Sequence, residues 1–175
     1  MCAVLEYWCA IRGNGLVPHR ANVRPAALLP FLPNLVIVEY KDPDSLYFRL
    51  AGTSFMKMMG RELTGTDFFE IFEKGMRSTA QINFNVLRSL PCGLLIHEKI
   101  LSQFQPLIMF EMLFLPMRTH QEGISQLIGL MTKFTSDAIN AVTEEAGSAA
   151  WPASLFLDVG AGLPTEHPEK FRRAG

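Results

Sequence analysis

Cysteine is scarce and poorly placed for bonding. The chain has three, Cys2, Cys9 and Cys92, an odd number with no CxxC pair, which argues against a disulfide framework and for a reduced, cytoplasmic protein. No run of 18 apolar residues occurs, so a transmembrane helix is not expected. The first apolar stretch is broken by Glu6 and has no basic leader, which disfavours a signal peptide. Net charge is −1, giving no electrostatic pull towards nucleic acid or an anionic bilayer, and neither partner is expected. The four histidines, His19, His97, His120 and His167, lack metal-ligand spacing. His97 and Glu98 are neighbours in a strand pattern and must point to opposite faces, so they cannot share a metal. Neither Gly13-Asn14-Gly15 nor Gly60 to Gly65 has the strand, loop, helix and lysine of a phosphate cradle. No nucleophile–histidine–acid set can be assembled either, so an enzyme is not the leading expectation.

What is present is apolar bulk. Hydrophobic residues make up 49% of 175 positions and charged ones 19%, a globular composition with material for a real core. Thirteen Phe and nine Met are a generous share, suited to core packing or to a deformable cavity.

Val4, Leu5, Trp8 and Ile11 recur at helical spacing before Gly13-Asn14-Gly15. So short a helix is marginal alone and must pack on its own sheet or on a second subunit. Pro18, Pro25, Pro30 and Pro33 then allow one helical turn near residues 25–29. Leu35–Tyr40 and Leu46–Ala51, flanking the Lys41-Asp42-Pro43-Asp44-Ser45 turn, read as a hairpin. If Tyr40 pairs near Leu46, Glu39 and Arg49 become diagonal neighbours on one face. Phe55, Met56, Met58 and Met59 fill a short helix ended by Gly60; Asp67 and Glu70 have capping-box spacing ahead of Phe68, Phe69, Ile71 and Phe72. A longer helix follows from about Met76 to Leu90, its stripe formed by Met76, Ala80, Phe84 and Leu87. Three strands remain: Leu94–Leu101, Leu107–Leu115 and Ser125–Phe134. The middle one is apolar on both faces apart from Glu111, so its outer face needs a cover. Beyond Ser136 the pattern decays: Ala138–Val142 could form a short helix, Trp151 and Leu155–Leu157 could dock back, and Arg172-Arg173 lies in a tail. The chain thus divides into an N-terminal helix and Pro-rich lead-in (1–34), a core (35–135) and a C-terminal helix, linker and tail (136–175).

Tyr7-Trp8, Pro18 with Arg20, Pro25, Leu32-Pro33, Arg49-Leu50-Ala51-Gly52-Thr53 and Gly60-Arg61-Glu62-Leu63-Thr64-Gly65 together resemble a bacterial family of mostly stand-alone PAS proteins, PAS_5, over about residues 5–135. Where that pattern would place an acidic cap before Pro25, this chain has Arg24. The resemblance implies an α+β fold: a PAS-like five-stranded antiparallel sheet, short helices on one face and an N-terminal helix. It also implies a cytoplasmic sensory or regulatory module for signal transduction, often a homodimer, that acts through protein–protein contacts. Flavin photochemistry in PAS domains needs a reactive cysteine near the short helices, and Gly60–Phe72 has none; haem usually takes a histidine from the long helix, and Met76–Leu90 has none. No cofactor is therefore expected.

On this reading a small apolar ligand would lie between sheet and short helices, lined by Phe55, Met56, Met59, Phe68, Phe72, Phe84 and Leu87. Leu5, Trp8 and Ile11 would form the dimer interface, and a signalling protein would receive the output. The alternatives are a cone-shaped α+β enzyme using His97, Glu111 or Asp67 as acid or base, and a pure dimerisation module.

Overall fold

The architecture follows from a computed structural model, which describes residues 1–42, 45–100, 108–119, 123–133 and 153–165. Helix α1 spans Cys2–Arg12, α2 Thr53–Met59 and α3 Arg77–Ser89; the strands are β1 Leu35–Asp42, β2 Ser45–Ala51, β3 Cys92–Ile100, β4 Ile108–Met117, β5 Gln126–Lys133 and β6 Ala153–Asp158. All pairings between these strands are antiparallel, in the order β2-β1-β5-β4-β3-β6.

The expected fold is present with one correction: the sheet has six strands, not five. Leu155, Phe156 and Leu157 return as β6 and pair with β3, Leu155 opposite Leu95. A β3 edge facing water would expose a row of unpaired backbone groups, and β6 covers it. The segment expected to dock back on the domain therefore does so as a sixth strand that completes the sheet. Ala138–Val142, Trp151 and Arg172-Arg173 lie outside the described residues.

Alternation along each strand builds two cores on one sheet. Phe110, Met112 and Phe114 of β4 face the short helices, while Leu113, Leu115 and Met117 face the other way. With both faces covered, β4 is buried from Phe110 to Met117 apart from half-buried Glu111. Helix α1 covers the back. Val4 and Trp8 are buried, and Trp8 Nε1–H donates to the Pro116 carbonyl at 2.8 Å. The Arg12 guanidinium, in the last turn where a cation suits the helix dipole, donates to the Val159 carbonyl just past β6. Tyr7 Oη accepts from the Arg24 N–H at 2.7 Å, and Asn22 Nδ2 donates to the Ile11 carbonyl at 3.1 Å. The lead-in is thereby tied to the helix it follows.

The β1–β2 register pairs Tyr40 with Leu46, as predicted, and a bulge leaves Arg49 unpaired between Phe48 and Leu50. Arg49 Nε lies 3.3 Å from Glu39 Oε2, and Gln126 Nε2 donates to Glu39 Oε1 at 2.9 Å. Among the described residues no helix is long and apolar enough to cross a membrane.

Candidate functional site

The front of the sheet is where the sequence concentrates its rings. Gly52 caps α2 and crosses so close to the lead-in that a Cβ there would lie 2.3 Å from the Pro33 carbonyl oxygen. That contact fixes where α2 begins. Gly60 ends it with φ 71°, a left-handed conformation that an L side chain resists. Asp67 caps the next segment, its Oδ1 accepting from the Phe69 N–H at 2.8 Å. The other half of the expected capping box is absent: Glu70 instead meets Arg61 at 3.4 Å, and residues Phe68–Ile71 form a 3-10 turn too short for the reciprocal bond. Helix α3 presents Ala80, Asn83, Phe84 and Leu87 to the sheet, the spacing of one helical face.

All seven residues assigned to a ligand site fall in this front cluster. Phe55, Met59, Phe68, Phe72, Phe84 and Leu87 are buried, and Met56 is half-buried against them. Phe68 is the hub, its ring centroid 4.9 Å from Phe84, 5.3 Å from both Phe48 and Phe114, and 5.4 Å from Phe72. Phe84 and Phe114 lie 4.8 Å apart, edge to face. These are favourable aromatic geometries, and ring packs against ring through the middle of the cluster.

Polar groups at its margin escaped the sequence reading. Tyr40 Oη donates to the Phe84 carbonyl at 2.6 Å, and Arg88 stands over the Tyr40 ring at 5.6 Å. Burial raises the Tyr40 hydroxyl well above its ordinary value, so it remains a donor. Asn83 Nδ2 donates to Ser154 Oγ at 3.0 Å, joining α3 to β6, while its buried Oδ1 has no partner among the described residues. An asparagine inside an aromatic stripe was the available signal, but its partner lies 71 residues away. The Cys92 thiol is buried and pushed up to about 12, chiefly by burial and further by Asp158, which leaves it a poor nucleophile.

The residues of the acid–base alternative are only partly brought together. His97 and Glu111 are opposite one another on β3 and β4, with Nε2 and Oε2 2.9 Å apart, on the back face and half-buried. The hydrogen bond from His97 holds the Glu111 carboxyl below its ordinary range, against the opposing effect of burial. Asp67 is not with them; it caps the turn beside Phe68 in the front. Of the residues assigned to a dimer contact, Trp8 is 1% exposed against its own sheet, while Leu5 and Ile11 are half-buried around it. The outward face of α1 carries Cys2, Ala3, Glu6, Cys9 and Ala10.

Comparison with known proteins places this geometry. The sequence model of the family PAS_5, described as a PAS domain, matches residues 1–132. No curated protein matches the chain. Among solved structures, a light-oxygen-voltage domain studied with a flavin analogue is 15% identical, with TM-score 0.55 over 71% of this chain and 94% of that one. The light-oxygen-voltage domain of the blue-light photoreceptor Aureochrome1, in its dark state, is 16% identical, with TM-score 0.54 over 70% and 90%. A light-oxygen-voltage protein of Rhodobacter sphaeroides is 13% identical, with TM-score 0.50 over 67% and 75%. At such identities the likeness is one of fold.

Proposed function

Because this chain belongs to the PAS_5 family of PAS domains, a type of domain that is typically sensory, we propose that it is a non-catalytic cytoplasmic regulator. Its front cluster senses and α1 reports to a protein partner. The observation that carries this reading is the shared use of single strands. β4 places Phe110, Met112 and Phe114 in the front and Leu113, Leu115 and Met117 under α1, and its Pro116 carbonyl holds Trp8. A shift of β4 caused from the front is felt at Trp8 without any further relay. The ligand in this reading is a small apolar molecule that parts the rings of Phe68 and Phe84. It changes the output to the extent that it binds one arrangement of α1 better than another.

Flavin photochemistry is not part of this proposal, since Gly60–Phe72 contains no cysteine. The His97–Glu111 pair serves as a cross-strand tie in this reading, because Asp67 is remote from it and the pair lies half-open at the sheet's back. Homodimerisation belongs to the proposal too. With Trp8 committed to its own sheet, a second copy would meet the outward side of α1 beside Leu5 and Ile11.

Hydrogen exchange, combined with native mass spectrometry of protein purified from its host, tests this. The expected result is a doubled mass, together with faster exchange across residues 2–12 than across β5 when Phe68→Leu loosens the front. A single-subunit mass with nothing retained, and α1 exchange indifferent to Phe68→Leu, would sink the reading.

A further inference from the structure

Where the chain leaves α1 it runs past the far end of the sheet, and there the backbone is pinned on both sides. The Arg118 N–H donates to the Pro18 carbonyl at 3.1 Å, and the Arg118 carbonyl accepts from the Arg20 N–H at 2.8 Å. Next to it, the Thr119 N–H donates to Ser125 Oγ at 3.1 Å. Between this clamped strand end, the loop after α1 and the entry to β3 lies an open groove of about 330 Å³. Leu16, Val17, Pro91 and Ile124 make its walls apolar, and Leu16 remains 50% exposed, with surface still to bury. Among the described lining residues Arg118 is the charged one; it is exposed and makes no ion pair with a carboxylate among the described residues.

Each part of this arrangement narrows the occupant. An open space of that size suits a compact small molecule. Aliphatic walls require hydrocarbon, since a wholly polar guest would be dehydrated against them without compensation. A guanidinium takes a carboxylate in a two-pronged, charge-assisted pair. Phosphate recognition instead gathers several backbone N–H groups or cations, and here the Arg118 N–H is already committed to Pro18. We propose that the groove binds a medium-chain monocarboxylate, its head on the Arg118 guanidinium and its chain along Leu16, Val17, Pro91 and Ile124. Such a guest joins the exit of α1 to the β4–β5 end of the sheet, a site centred away from the aromatic front and touching it through Ile124.

Octanoate is a suitable probe, followed by amide chemical shifts of the full chain during titration. Saturable shifts are expected at residues 15–17 and 123–124, with an affinity on the order of 0.1–1 mM for so small a guest. Arg118→Gln, at an exposed side chain, should leave the spectrum folded and weaken octanoate about tenfold, the worth of one charge-assisted contact. Leu16→Ser should weaken it as well, and 1-octanol should bind the wild type about as weakly as octanoate binds Arg118→Gln. Unchanged octanoate affinity in Arg118→Gln, shifts centred on Phe68 and Phe84, displacement by inorganic phosphate at equal concentration, or no saturable shift would each overturn the assignment.

Discussion

The two faces of the sheet are held by different means. In the front, rings from β2, β4, α2, α3 and the turn after Asp67 interlock, and several elements converge on Phe68. On the back an eleven-residue helix buries Val4 and Trp8 beside Val23 and Leu28 of the lead-in, and is tied by hydrogen bonds: Trp8 to Pro116, Arg12 to Val159, and Asn22 to the end of the helix. A cluster reached from many elements cannot open in part without losing the whole. A short helix with two fully buried anchors, its other apolar side chains Leu5, Tyr7 and Ile11 only half-buried, is held at fewer points than the front cluster. The difference makes α1 the better candidate for local opening, which is what the proposed reporting role would require.

The largest effect that would sharpen this contrast is at the hub's neighbour. Phe84→Ala leaves a cavity against Phe68 and Phe114 and should cost about 3–5 kcal/mol in urea unfolding, with every strand losing protection together. Trp8→Phe comes next: it keeps a ring but strands the buried Pro116 carbonyl, for about 1–3 kcal/mol. Hydrogen exchange should then quicken in residues 2–12 while β4 stays protected; if β4 opens with α1, the two faces are one cooperative unit and the contrast fails. The smallest effect concerns the tie at the back. Glu111 is held below its ordinary value of 4.5, so its contribution is present above that pH and is lost as the pH falls through its lowered folded value. Glu111→Gln should be about 0.5–1.5 kcal/mol less stable than the wild type at pH 7. The two melting curves should converge on acidification below 4.5; a gap that stayed constant would show that the His97 bond does not govern the titration.

Much of this was readable from local chemistry. The hairpin register followed from where Tyr40 and Leu46 sit around a turn, and with it the meeting of Glu39 and Arg49. The need for a cover over β4 followed from its apolar residues falling on both alternating faces, and α1 supplies that cover. The seven front residues were legible as one greasy set because short helices so apolar must be buried on more than one side. Less legible was β6, whose six residues lie far from β3 in the chain and carry no turn signal linking the two. The His97–Glu111 contact depends on a cross-strand register, and the Asn83–Ser154 bond on a helix crossing a strand that was not foreseen. The capping box failed at Glu70 because spacing alone cannot tell a 3-10 turn from an α-helix.

The amino-acid order by itself determined the helices α1 to α3 and the strands β1 to β5, where Gly52 and Gly60 punctuate them, and that a two-sided apolar sheet had to form. Period-two and period-3.6 patterning act over a few residues and need no knowledge of the rest of the chain. Tertiary structure decided which edge β6 completes, that Trp8 turns inward to Pro116, and that Arg118 stands over an apolar groove. Those outcomes depend on closing long loops, whose entropy cost grows only slowly with length, so sequence distance discriminates poorly among the partners a distant segment can reach.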